Sequence, residues 1–263
     1  MTKRLEPIYE NVLLDMNAQN WKKTSNPDMS SISFALTSVI KEYEHIGYII
    51  EKRPHVEIFS SSLKGTDYPE CFKAENRVFI SLSAKDNYWS QYVYQFAHEY
   101  CHYIIGSPMF TRQGGAKESS FWFEESICEL ASCYFLKKTC SSWKMSDLDQ
   151  IRSFAERHCE YYENHVKKIT TIDIPLSQWI RDNIESLKET CVDDNRKSYS
   201  VIAKSLLPLF LEHPNLWKIL PYLKRVDQNT YRDFPHWIKQ VVKPQLPTDL
   251  SKEFELLENM LVG

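Results

Sequence analysis

A chain of 263 residues, 43% of them hydrophobic, has enough apolar content to bury a core in one large domain or two modest ones. Its 32 Lys and Arg stand against 35 Asp and Glu, a net charge of -3 with no polybasic run, which argues against nucleic acid or an anionic membrane as partner. The seven cysteines form no CxxC pair, no apolar run reaches membrane-spanning length, and acidic residues interrupt the N-terminus before any signal-peptide core, so a reducing, cytoplasmic setting is expected.

Taken in chain order, apolar residues at three- and four-residue spacing predict a helix from Leu5 to about Trp21 and another from Ser31 to about His45. Between Gly47 and Ser83 the runs "YII", "HVEIFSS" and "RVFISLS" read as short strands, separated by the turn-prone "KGTDYP" and "KAEN". Asp86 or Asn87 is expected to cap a helix with Trp89, Val93, Phe96 and Tyr100 on its apolar stripe, closed by Gly106 and Pro108. After the loop around "TRQGGAKESS", a helix runs from Phe121 to about Lys138, and from Ser142 onward the pattern is wholly helical. The expected class is α+β: a small sheet with a histidine-bearing helix in residues 1–142, followed by an all-α region in 143–263.

The helix before Gly106 carries the chemistry, in the segment "HEYCH". His98 and His102 are four residues apart, so they project from one face with imidazoles able to converge on one ion. Glu99 lies about 100° round the helix, where it reaches a water activated at that ion without being a donor to it. This is the H-E-x-x-H arrangement of two zinc ligands and a general base. A third protein donor is needed, and "FWFEESICELAS" on the next helix offers Glu124, Glu125 and Glu129. Glu125 and Glu129 share a face. Glu125 is the preferred ligand, since Glu129 one turn on then holds a ligand histidine from behind; Glu129 as ligand is the alternative. Cys101, inside the motif, points away from the histidine face and reads as a small buried thiol.

These residues, over about Val56 to Leu136, resemble the glutamate-zincin (gluzincin) metallopeptidases. The order of strand, H-E-x-x-H helix and glutamate helix is also similar to the ImmA/IrrE-like bacterial and phage regulatory metallopeptidases. The resemblance implies a zincin-like sheet, one catalytic zinc, hydrolysis of a protein or peptide substrate with Glu99 as base, and "RVFISLS" as the edge strand along which substrate lies. The chain has no G-x-M-E-N exopeptidase signature, and an endopeptidase of narrow specificity is expected.

A donor to the tetrahedral oxyanion is sought in "ERHCEYYENH", where His158, Tyr162 and His165 share a helical face and Tyr161 lies beside them. The helical region after residue 142 is the expected place for choosing a protein target or binding a regulatory partner. The competing reading is a zincin-like scaffold without turnover, in which that region is the working part. An intact Glu99 favours the enzyme, because binding alone has no use for a base.

Overall fold

The computed structural model describes residues 2–48, 54–74, 77–106, 120–188, 193–223 and 233–263. Five strands, β1 (Leu5–Tyr9), β2 (Val12–Asp15), β3 (Val56–Ser60), β4 (Glu70–Ala74) and β5 (Arg77–Leu82), form one mixed sheet in the order β1-β2-β3-β5-β4. β2, β3 and β5 run parallel; β1 and β4 are antiparallel edges. The helices are α1 (Ala18–Trp21), α2 (Met29–His45), α3 (Trp89–Ile105), α4 (Phe121–Lys144), α5 (Asp149–Lys168), α6 (Leu176–Lys188), α7 (Asp193–Glu212), α8 (Phe234–His236) and α9 (Thr248–Val262). The protein is therefore of mixed α+β class, as its sequence pattern predicts. Among the described residues no helix is long and apolar enough to cross a membrane.

The predicted N-terminal helix over Leu5–Trp21 is instead the β1–β2 hairpin and the single turn α1. Pro7 supplies the reason: it removes a helical donor and clashes with the preceding turn, yet is tolerated in an edge strand. Val12 and Leu14 are buried with Leu13 less so, a period of two that the four-residue spacing masked. Asp15 fastens the hairpin, accepting from the Arg4 N–H at 2.8 Å and from Asn20 Nδ2 at 2.6 Å.

"RVFISLS" is not the edge strand that the resemblance implies. It is β5, paired on both sides, and the edge is β4, a strand absent from the sequence reading because the turn-prone "KGTDYP" precedes it and "KAEN" takes in its last two residues, Lys73 and Ala74. Of the predicted strand "YII", Tyr48 is not in a strand and the other two residues lie outside the described ones, as does Pro108. Ile32, Leu36 and Ile40 of α2, Val56, Ile58 and Ile80 of the sheet, and Val93 and Phe96 of α3 are fully buried in one cluster. That cluster continues into Ile202, Leu206 and Phe210 of α7, and α4 runs unbroken across the division at 142/143.

Neither Asp86 nor Asn87 caps α3, whose N-cap position is Tyr88. Both turn toward the segment before α2. Asn87 Oδ1 accepts from the Asp28 N–H at 2.9 Å, and Asp86, buried and at φ 50°, accepts from the N–H groups of Lys23 (2.7 Å), Thr24 (3.0 Å) and Ser25 (3.2 Å) and the Thr24 hydroxyl (2.6 Å). Burial pushes the Asp86 carboxyl up, but these donors outweigh it and hold it at about 2, against an ordinary 3.8. A carboxyl lowered on folding stabilises the fold above its unfolded pKa, and that contribution is lost as pH falls from about 4 through about 2. Asp86→Asn keeps a side chain that tolerates the left-handed backbone and removes the charge. It is expected to cost about 2 kcal/mol near neutral pH in urea unfolding, with the difference from wild type shrinking below about pH 4.

Candidate metal centre

α3 and α4 pack together, and each turns a four-residue ladder of polar side chains toward the other: Tyr94, His98 and His102 on α3, and Glu125, Glu129 and Cys133 on α4. The rungs pair in opposite chain directions. His102 meets Glu124 and Glu125, His98 meets Glu125 and Glu129, and Tyr94 meets Glu129, while Ser132 Oγ donates to the Tyr94 carbonyl at 2.9 Å. Antiparallel packing thus aligns two motifs that are 20 to 35 residues apart in sequence, to within one side chain's reach.

The two imidazoles converge on a single carboxylate. Glu125 Oε2 is 3.3 Å from His98 Nε2, and Glu125 Oε1 is 3.2 Å from His102 Nε2. Bonds of about 2.0–2.1 Å at tetrahedral angles set neighbouring donor atoms about 3.3 Å apart, the spacing of each of these two contacts, which run to different oxygens of the one carboxylate. Burial opposes the charge on both rings, yet Glu125 raises the pKa of His98, and Glu125 with Glu124 raises that of His102. Burial likewise opposes the charge on Glu125, which the two histidines hold well below the usual carboxylate range. The pocket favours positive charge at the imidazoles.

Each histidine also has a carboxylate on its other nitrogen, the arrangement that fixes tautomer and ring orientation in metal sites. His102 Nδ1 lies 2.7 Å from Glu124 Oε1, with both side chains 2% exposed. His98 Nδ1 lies 3.9 Å from Glu129 Oε2. Glu129 is itself held by the Tyr94 hydroxyl at 2.8 and 2.7 Å and by Ser200 Oγ at 3.2 Å. Of the two glutamates left open by the sequence, Glu125 faces both Nε2 atoms and Glu129 stands behind His98. Glu124→Ala is expected to weaken metal binding 10- to 100-fold, measured by chelator competition, with Glu124→Gln less affected because it keeps an acceptor for His102 Nδ1.

Glu99 is 4% exposed and lies close enough to His98, His102 and Glu125 for their charges to act on its own. Burial raises its pKa, opposed by His98, His102 and a hydrogen bond from the Cys71 backbone N–H. Cys71 belongs to β4, so the candidate base touches the edge of the sheet. Cys128 is a second possible third donor: one donor atom from each of His98, His102 and Cys128 lies within 4.8 Å of the others. Its thiol is fully buried, and burial, then a hydrogen bond with Cys101, push its pKa up. Glu125 reaches each ring through a different oxygen, at 3.3 and 3.2 Å, and its carboxylate is held ionised where the buried thiol is held protonated.

The four candidates for an oxyanion donor separate, with Tyr161 exposed and its ring centre 6.4 Å from that of His165. His158 does not join the cluster: it is wholly buried, stacked on Trp143 at 3.9 Å, with Ser90 Oγ 2.9 Å from Nδ1 and Thr139 Oγ1 2.8 Å from Nε2. Burial lowers its pKa to about 3, so it is a neutral, satisfied core histidine. Tyr162 packs partly buried on the core with Lys137 Nζ 5.2 Å from its ring. His165 reaches Glu129, with Nε2 3.5 Å from Oε1, one carboxylate removed from His98. Tyr94 and Cys128 are participants that the sequence reading did not name, and Glu124, offered there as a possible third donor, stands instead behind His102. Tyr94 was accessible, being one helical turn before His98 on the same stripe. No family model, curated protein or solved structure matches the chain, so the site's meaning rests on its own geometry.

Proposed function

We propose that this protein is a zinc-dependent metallopeptidase of narrow specificity, with His98, His102 and Glu125 holding the ion and Glu99 acting as general base. The observation that carries the reading is the meeting of both Nε2 atoms with the two oxygens of Glu125 at 3.2–3.3 Å, beside a separate buried carboxylate on the same helix. Two imidazoles and a carboxylate suit zinc among the common divalent ions. When bound, the ion supplies Lewis acidity, activating water and polarising a carbonyl.

The chain's own residues do the rest. Glu99 takes a proton from the attacking water and delivers it to the leaving amine, and burial brings its pKa closer to neutral, where such a base works well. Glu124 orients the His102 imidazole through its 2.7 Å contact, and the Glu129 charge lies behind His98. The antiparallel edge β4, whose Cys71 N–H touches Glu99, offers backbone to an extended peptide, and this layout of sheet, edge and helix supports the zincin-like reading. The helical region after α4 supplies the surface that chooses the protein target. Six described cysteines are unbridged, five of them buried, which agrees with a reducing, cytoplasmic setting.

The test is a proteome-derived peptide mixture incubated with the zinc-loaded protein and read by mass spectrometry. Cleavage at a restricted set of sequences, lost with chelator and restored by zinc, is expected. A mixture left intact by protein that has bound zinc rejects the peptidase reading in favour of a binding scaffold.

A further inference from the structure

Beyond Glu125 the α4 ladder continues to Glu129 and Cys133, and there α5 brings in His165. One donor atom from each of these three residues lies within 4.8 Å of the others. His165 Nε2 is buried without a hydrogen-bond partner, 3.5 Å from Glu129 Oε1, although the rest of its side chain is 27% exposed. That nitrogen faces the carboxylate as an ion pair outside good hydrogen-bond geometry, with a thiol one helical turn along α4.

We propose a second metal site at Glu129, Cys133 and His165, suited to a borderline transition ion such as zinc or cobalt(II). The pattern repeats the first centre with helices exchanged: two donors four residues apart on one helix and the third from a neighbour. A thiolate, an imidazole and a carboxylate select this class of ion over magnesium or calcium, which prefer all-oxygen surroundings. Glu129 can serve without losing all its present partners. Tyr94 keeps Oε2 at 2.7 Å while Oε1 turns to the ion, and Ser200 Oγ keeps the Arg196 carbonyl at 3.0 Å. His165, packed edge-on against Tyr94 at 4.8 Å between ring centres, is exposed enough to rotate the short distance that tetrahedral closure needs, and water completes the coordination.

Coordination takes Cys133 as its thiolate, so its proton leaves to solvent and binding weakens as pH falls. Because Glu129 also stands behind His98, the two sites are linked through that carboxylate. The second site does not depend on peptidase activity.

The test titrates cobalt(II) into the full-length protein after chelation, following stoichiometry by native mass spectrometry and the near-ultraviolet thiolate-to-cobalt charge-transfer band, in wild type, His98→Ala, Cys128→Ser, Cys133→Ser and His165→Gln. The expected result is about two equivalents in wild type, with the band and one equivalent lost in both Cys133→Ser and His165→Gln and the band kept in Cys128→Ser. His165→Gln alters a partly exposed side chain, so it reports even where a buried serine perturbs the fold. Retention of both the band and full stoichiometry in Cys133→Ser and His165→Gln overturns the proposal, as does a band that vanishes only in Cys128→Ser. A single equivalent that survives His98→Ala and is lost in Cys133→Ser supports this site and rejects the first.

Discussion

Glu99→Gln is expected to leave zinc at the His98–His102 centre and to slow peptide cleavage by roughly 10²- to 10⁴-fold, the usual worth of a positioned acid–base group. The substitution is nearly isosteric, and its carboxamide oxygen can still accept the Cys71 N–H that Glu99 accepts. What it cannot do is take a proton from water and pass it to an amine. Glu99 acts in this reading as a base and not as a donor to the ion, so metal content, measured alongside the rate, should not change. A variant that cleaves as fast as wild type moves the base elsewhere, while loss of zinc together with activity makes Glu99 part of the metal-holding framework.

The second large effect separates Glu125 from Cys128. Glu125→Ala is expected to abolish binding at the His98–His102 centre, seen as the loss of one equivalent by elemental analysis after gel filtration, with peptidase activity lost as well. His98→Ala should behave alike, since a three-donor site reduced to two holds an ion only weakly. Cys128→Ser should retain the ion, because the thiol is hydrogen-bonded to Cys101 while the two oxygens of Glu125 span both rings at 3.2–3.3 Å. The reverse pattern, retention in Glu125→Ala and loss in Cys128→Ser, makes the cysteine the third donor. Far-ultraviolet circular dichroism keeps these outcomes distinct from unfolding, which matters for α4 because it lies in the core.

The spacing in "HEYCH" determined by itself that His98 and His102 share a face, since 3.6 residues per turn leave them nowhere else to point once the segment is helical. The same periodicity placed Glu125 and Glu129 on one stripe, and the α+β class followed from the change of pattern after Gly47. Local pattern misled where another local rule outweighed it: Pro7 turned an apparently helical spacing into a hairpin, and turn-prone residues before β4 and over its end hid that strand. Tertiary structure alone decided which carboxylate meets which ring. The antiparallel packing of α3 on α4 sets Glu125 between the two Nε2 atoms and Glu124 and Glu129 behind them, a choice that depends on the offset between helices. It also withdrew His158 into the core against Trp143 and brought His165 to Glu129, although the two share one helical face. A helix face specifies direction, and only the neighbour packed against each turn specifies whether a side chain there is a satisfied core group or a ligand.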